Sequence, residues 1–209
     1  MEEQWKQWEK WFLSCTNEER GLCARAIDLE ETYFSDMTLK DYSKLGEYQT
    51  KKGDAWVPVI SSLDESGILD ISYGWRFTIV RDSEWSGRCT PGEKLIEIDE
   101  AYKDDDVVLL HEMIHAYESL LTTEGLEVYK QYLIIDLYER LLPRIPDLRD
   151  LLLADANIIS AEGTGFVHGP LFLLKSADLD LRHEWPLGTT HGYGRQDVFE
   201  QVRASRSQT

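Results

Sequence analysis

The sequence predicts an α+β fold, with a small antiparallel sheet packed on one buried helix and additional helices around it. Three observations carry this. Apolar and polar side chains alternate with period two from residue 68, "CTPGEKLIEID" at 89–99 reads as a turn entering a second strand, and the flanking segments repeat apolar residues at helical spacing. A chain of 209 residues is long enough for one domain with a sizeable core. Residues 1–209 are therefore read as a single domain, with a helical N-terminal region at 1–55 and a helical insertion at 122–160.

Taken in order, Trp5, Trp8, Trp11 and Phe12 recur at helical spacing, a stripe that favours packing over a ligand platform. "TNEE" at 16–19 has the pattern of a capping box and opens a second helix. Leu69, Ile71, Tyr73, Trp75, Phe77 and Ile79 then alternate with Asp70, Ser72, Gly74, Arg76, Thr78 and Val80, which predicts a strand with one buried face. Pro91 and Gly92 suit the central positions of a type II turn, returning the chain through Leu95, Ile96 and Ile98. Asp104, Asp105 and Asp106 complement the dipole of the helix that follows and read as its solvated N-terminus. "LEVYKQYLIIDLYERLL" predicts a further helix ending before Pro143, a third helical stretch falls around 147–159, and "EGTGFVHGPLF" is a Gly-rich turn into a helix with Pro170 in its first turn.

Composition excludes several classes. No apolar run approaches the roughly 20 residues needed to span a bilayer. A net charge of -17 without any basic run disfavours nucleic acid and anionic lipid as partners. Cys15, Cys23 and Cys89 form no C-x-x-C pair and are odd in number, so neither a disulfide framework nor a cysteine zinc ribbon is indicated. Together with an N-terminus that begins on acids rather than a secretory signal, this makes an intracellular, cytoplasmic location the expectation.

The chemistry concentrates in "HEMIHAYE" at 111–118. In a helix, His111 and His115 stand one turn apart on one face, so both imidazoles reach one cation at about 2.0 Å. Glu112 lies about 100° around from His111, near enough to address a water at that cation without being a ligand. Val107, Val108, Leu109, Leu110, Met113 and Ile114 make this a buried helix, where two imidazoles with nothing to bind would be costly. Glu112, His115 and Glu118 also spell E-x-x-H-x-x-E, but a carboxylate-bridged di-iron site needs a second E-x-x-H, which the sequence lacks. Glu118 is placed equally well as an orienting neighbour of a ligand or as a surface residue. An open zinc site needs a third protein ligand, for which His168, Glu162 and His191 are the candidates; His183 and His191 otherwise read as structural or surface histidines.

"LLHEMIHAY" together with "HGPLF" resembles the catalytic core of the SprT-like zinc metallopeptidase family, which pairs H-E-x-x-H with a later His-Gly-x-x-aromatic, matched here by His168, Gly169 and Phe172. A cysteine ahead of the preceding turn, with a strand after it, is also similar. The likeness covers about a third of the chain, and 52 residues separate His115 from His168, more than is usual in that family. The resemblance implies a zincin-like fold, zinc (Zn2+) held by His111, His115 and His168, and Glu112 as general base. Peptide-bond hydrolysis on a protein or peptide substrate is then the expected activity. The alternative is a catalytically silent zinc-binding scaffold of the same kind, acting as a protein-binding module.

Overall fold

The computed structural model describes residues 2–34, 75–123, 127–153 and 168–192. The architecture is mixed α and β, and the chain divides into two compact units, Met1–Tyr132 and Leu133–Thr209.

The first unit opens with helices α1 (Glu2–Ser14) and α2 (Asn17–Tyr33). Thr16 Oγ1 accepts from the Glu19 amide at 3.1 Å, while the Glu19 carboxylate accepts from the Thr16 amide at 2.8 Å. The expected capping box is thus present, and it fixes the start of α2 by satisfying two otherwise orphaned donors. On α1, Trp8 stacks on Phe12 at 5.1 Å and is tilted against Trp11, so these members of the tryptophan stripe pack on one another. Helix α2 buries Leu22, Cys23, Ala26 and Leu29. The predicted helical region at 1–55 is helical to Tyr33; residues 35–74 lie outside the described residues, as does the 68–74 part of the predicted strand.

Strands β1 (Arg76–Val80), β2 (Gly87–Thr90) and β3 (Leu95–Asp99) form one sheet in the order β1-β3-β2. The sequence implies an antiparallel sheet, whereas the observed sheet is mixed: β2 pairs antiparallel with β3, and β1 pairs parallel with it. The connection at 91–94 folds β2 back onto β3, so the chain leaving β1 must cross to the far edge before β2 begins. Asp99 holds that crossing, accepting from the Ser83 amide and hydroxyl at 3.0 Å each, while its own amide donates to the Ser86 carbonyl at 2.9 Å. The amide donors, from Ala101 first and then Ser83, hold the Asp99 carboxyl below its usual range. The parallel register sets Phe77 opposite Ile96, both fully buried; of the other described residues on the predicted inward face, Trp75 is also buried and Ile79 is half-buried.

The turn differs as well. Pro91–Glu93 is a single 3-10 turn, and the left-handed residue is Lys94, with φ 47°, rather than Gly92. With four residues between the strands, the left-handed step moves to the end of the connection, where the Lys94 amide closes on the Pro91 carbonyl at 3.0 Å.

Helix α3 (Asp106–Thr123) packs on α2, β2 and β3. Its start is built as the acidic run suggests: Asp105 accepts from the Val107 amide at 2.9 Å, and Arg25 pairs with Asp106 at 3.2 Å and Asp104 at 3.6 Å. Tyr117 stacks on Phe34 at 4.8 Å and donates its hydroxyl to the buried Glu30 carboxylate, which locks α3 to α2.

Helix α4 (Glu127–Leu141) runs across the division between the units. In the second unit Leu133, Leu137 and Leu141 repeat at helical spacing and are buried, as are Ile145, Leu148 and Leu151; residues 148–153 are helical. Within the expected insertion at 122–160, residues 124–126 and 154–160 lie outside the described residues. Helix α5 (Pro170–Arg182) has Gly169 as its N-cap and Pro170 in its first turn, as its sequence suggests. Every residue from Leu171 to Asp180 is buried, charged ones included. The short helix α6 (Thr189–Gly192) packs on α5. No helix among the described residues is long and apolar enough to cross a membrane.

Candidate metal centre

Helix α3 stays helical through the motif because its apolar residues are buried on several sides: Val108, Leu109, Leu110, Met113 and Ile114 are all in the core. That burial holds His111 and His115 one turn apart, with ring centroids 4.9 Å apart and planes at 76°. His111 is buried and His115 half-buried. Glu112 is only 3% exposed, an expensive place to keep a carboxylate.

Strand β2 is the wall beside this carboxylate. A Cβ built on Gly87 would lie 2.8 Å from Glu112 Oε1, 2.8 Å from Val108 Cγ1 and 2.9 Å from Glu112 Cγ. Cys89 is the next residue on that face of the strand. Burial, and after it the charge of Glu112, push its thiol well above the ordinary range, so it stays protonated and unreactive.

In the second unit, His168 immediately precedes the Gly169 cap of α5. Its ring stacks on Phe172 at 4.1 Å with planes 13° apart, and meets His191 edge-on at 5.0 Å. His191 rides on α6, which is fastened by a buried carboxylate: Asp180 accepts from the Gly188 amide at 2.8 Å, the Thr190 amide at 2.9 Å and the Thr190 hydroxyl at 2.6 Å. Burial raises the Asp180 pKa, against the opposing pull of these hydrogen bonds.

In the first unit His111 and His115 present two imidazoles one helical turn apart, and in the second unit His168 presents another just ahead of α5. Two imidazoles one helical turn apart with a carboxylate on the adjoining residue supply donors and acid–base chemistry that suit zinc, so the residues present fit that ion. His191 lies against His168 within the second unit. Glu118 is also elsewhere, paired with Lys130 at 2.7 Å. His183 stacks on Trp185 at 4.1 Å, as a structural histidine would. Glu162 lies outside the described residues.

Two participants escape a reading of the sequence. Nothing in the residue pattern marks Gly87, although Gly87 and Cys89 alternate on one face of a strand. His191 reads as a structural or surface histidine, and its contact with His168, 23 residues away, has no local signal. No protein-family model, curated protein or solved structure matches this chain.

Proposed function

We propose that the protein is a zinc-dependent metallopeptidase of the SprT-like, zincin-like kind, with His111, His115 and His168 as metal ligands and Glu112 as general base. The observation that carries this is the pair His111 and His115, one helical turn apart on α3, together with the buried Glu112 carboxylate one residue from His111. Zinc in such a site acidifies water and polarises a carbonyl. Glu112 takes the proton of the attacking water and passes it to the departing amine, a role that its burial supports by keeping the carboxylate short of competing solvent. The substrate is an extended peptide segment laid along β2, an edge of the described sheet, where main-chain hydrogen bonds hold it without much demand on sequence.

Elemental analysis of the purified chain should find about one zinc per molecule. Glu112→Gln should keep that zinc and lose hydrolysis of an unfolded protein such as casein, with chelation abolishing wild-type activity. Zinc binding with no hydrolysis by the wild type would favour the silent, protein-binding scaffold. Full activity in the Gln variant would remove Glu112 from the chemistry.

A further inference from the structure

We infer that Gly87 is a positioning residue for Glu112: the missing side chain at 87 is what lets the carboxylate lie against β2. The inference rests on the reading of Glu112 as general base. Gly87 sits in a regular strand, opposite Ile98 in the antiparallel register, and among the described glycines only Gly188 has a left-handed φ. Its backbone therefore does not call for glycine, and glycine inside a strand is unfavourable. Packing is the remaining reason.

All three atoms nearest a Cβ at position 87 would be closer than 3.0 Å, and two of them belong to Glu112. By contrast, a Cβ at Gly21 or Gly92 would meet nothing within 4 Å. The third atom belongs to Val108, which is β-branched, 2% exposed and stiff at χ1. Glu112 has three rotatable bonds and yields first. A methyl group at 87 would thus turn the carboxylate away from β2 while His111 and His115, on the helix backbone, stay where they are.

The test is a double-mutant cycle on the full chain. In metal-free protein Gly87→Ala should lower the thermal midpoint by about 5 °C, and should cost less than half of that in a Glu112→Ala background, because the clash is with the residue removed. In zinc-loaded protein Gly87→Ala should keep the metal stoichiometry and lower kcat about a hundredfold with KM within about twofold, the cost of a displaced catalytic group. Gly21→Ala is the control, and should leave both midpoint and activity no lower than wild type. Should Gly87→Ala fail to fold, Gly87→Ala/Val108→Ala relieves the valine contact, keeps the Glu112 one and takes its place in the cycle. An equal midpoint loss in both backgrounds, or wild-type kcat in the Gly87→Ala variant, overturns the inference. A wild type that neither binds zinc nor hydrolyses peptide overturns the metallopeptidase reading instead, and the metal-free cycle still decides whether Gly87 makes room for Glu112.

Discussion

Helices α3 and α5 both hold candidate ligands in place, yet they are buried in opposite ways. Helix α3 buries a nearly continuous apolar surface, with His111 and Glu112 as its polar exceptions. Helix α5, which begins two residues after His168, buries Lys175, Ser176, Asp178 and Asp180 among its leucines. Asp178 is surrounded by Lys175 at 3.4 Å, Arg182 at 3.7 Å and Arg140 at 3.9 Å, and Asp180 binds the loop before α6. The first helix is stabilised by transfer of apolar surface, which tolerates approximate partners. The second depends on buried charges whose partners must be in place, since one left alone is costly.

The sharpest way to break this comparison is at the ligands. His115→Ala and His168→Ala should each weaken zinc binding by at least about a hundredfold, and His183→Ala should leave it unchanged, as measured by competition with a chromophoric chelator. Equal losses for all three would mean that the histidines act through folding rather than as ligands.

Next in size is Asp180→Ala, which strips the acceptor from three buried donors and should destabilise the protein by roughly 3 kcal/mol in urea unfolding. Tyr117→Phe removes one hydrogen bond to a buried carboxylate and should cost about 2 kcal/mol by the same measurement. If the tyrosine change were the larger, the contrast between polar α5 and apolar α3 would not hold.

The smallest effects are in pH, and they have opposite signs in the two units. The Asp99 carboxyl titrates below its unfolded value, so its contribution is present above the unfolded pKa of roughly 4 and is lost as pH falls through the folded one. The Asp180 carboxyl titrates above its unfolded value, so stability is lost as pH rises from the unfolded pKa through the folded one. Urea midpoints followed from neutral pH into acid should therefore show Asp99→Asn less acid-sensitive than wild type and Asp180→Asn more so. The same slope change in both variants would contradict this assignment.

Much of α2 and α3 was legible in the sequence because their signals are local. The capping box of Thr16 and Glu19, the acidic start at Asp104–Asp106 and the i, i+4 histidines all act within one or two helical turns. The parallel pairing of β1 was not legible, because period-two alternation gives the buried face of a strand and says nothing of its neighbour's direction. Lys94 took the left-handed position expected at Gly92 because the length of the connection, not the residue preference, set where the chain had to reverse. In α5 the start at Pro170 was legible, but the burial of Lys175, Asp178 and Asp180 was not, because several of their partners are not local. Among the described residues, Arg140, Gly188 and Thr190, distant in sequence or beyond the helix end, meet the carboxylates of Asp178 and Asp180.

The distance along the chain between partners also orders their assembly. Gly87 and Glu112 are 25 residues apart, and the β2–β3 hairpin closes across four, whereas the Tyr117–Glu30 bond spans 87. Short loops cost less entropy to close, so hairpin and motif helix come together before α2 docks on them. On that order Glu112 meets β2 before α2 docks. Substitutions at Gly87 should accordingly slow refolding, whereas Tyr117→Phe should chiefly speed unfolding, a division that stopped-flow chevrons resolve. The geometry around Glu112 is then an early product of the folding route, set within one contiguous stretch of chain.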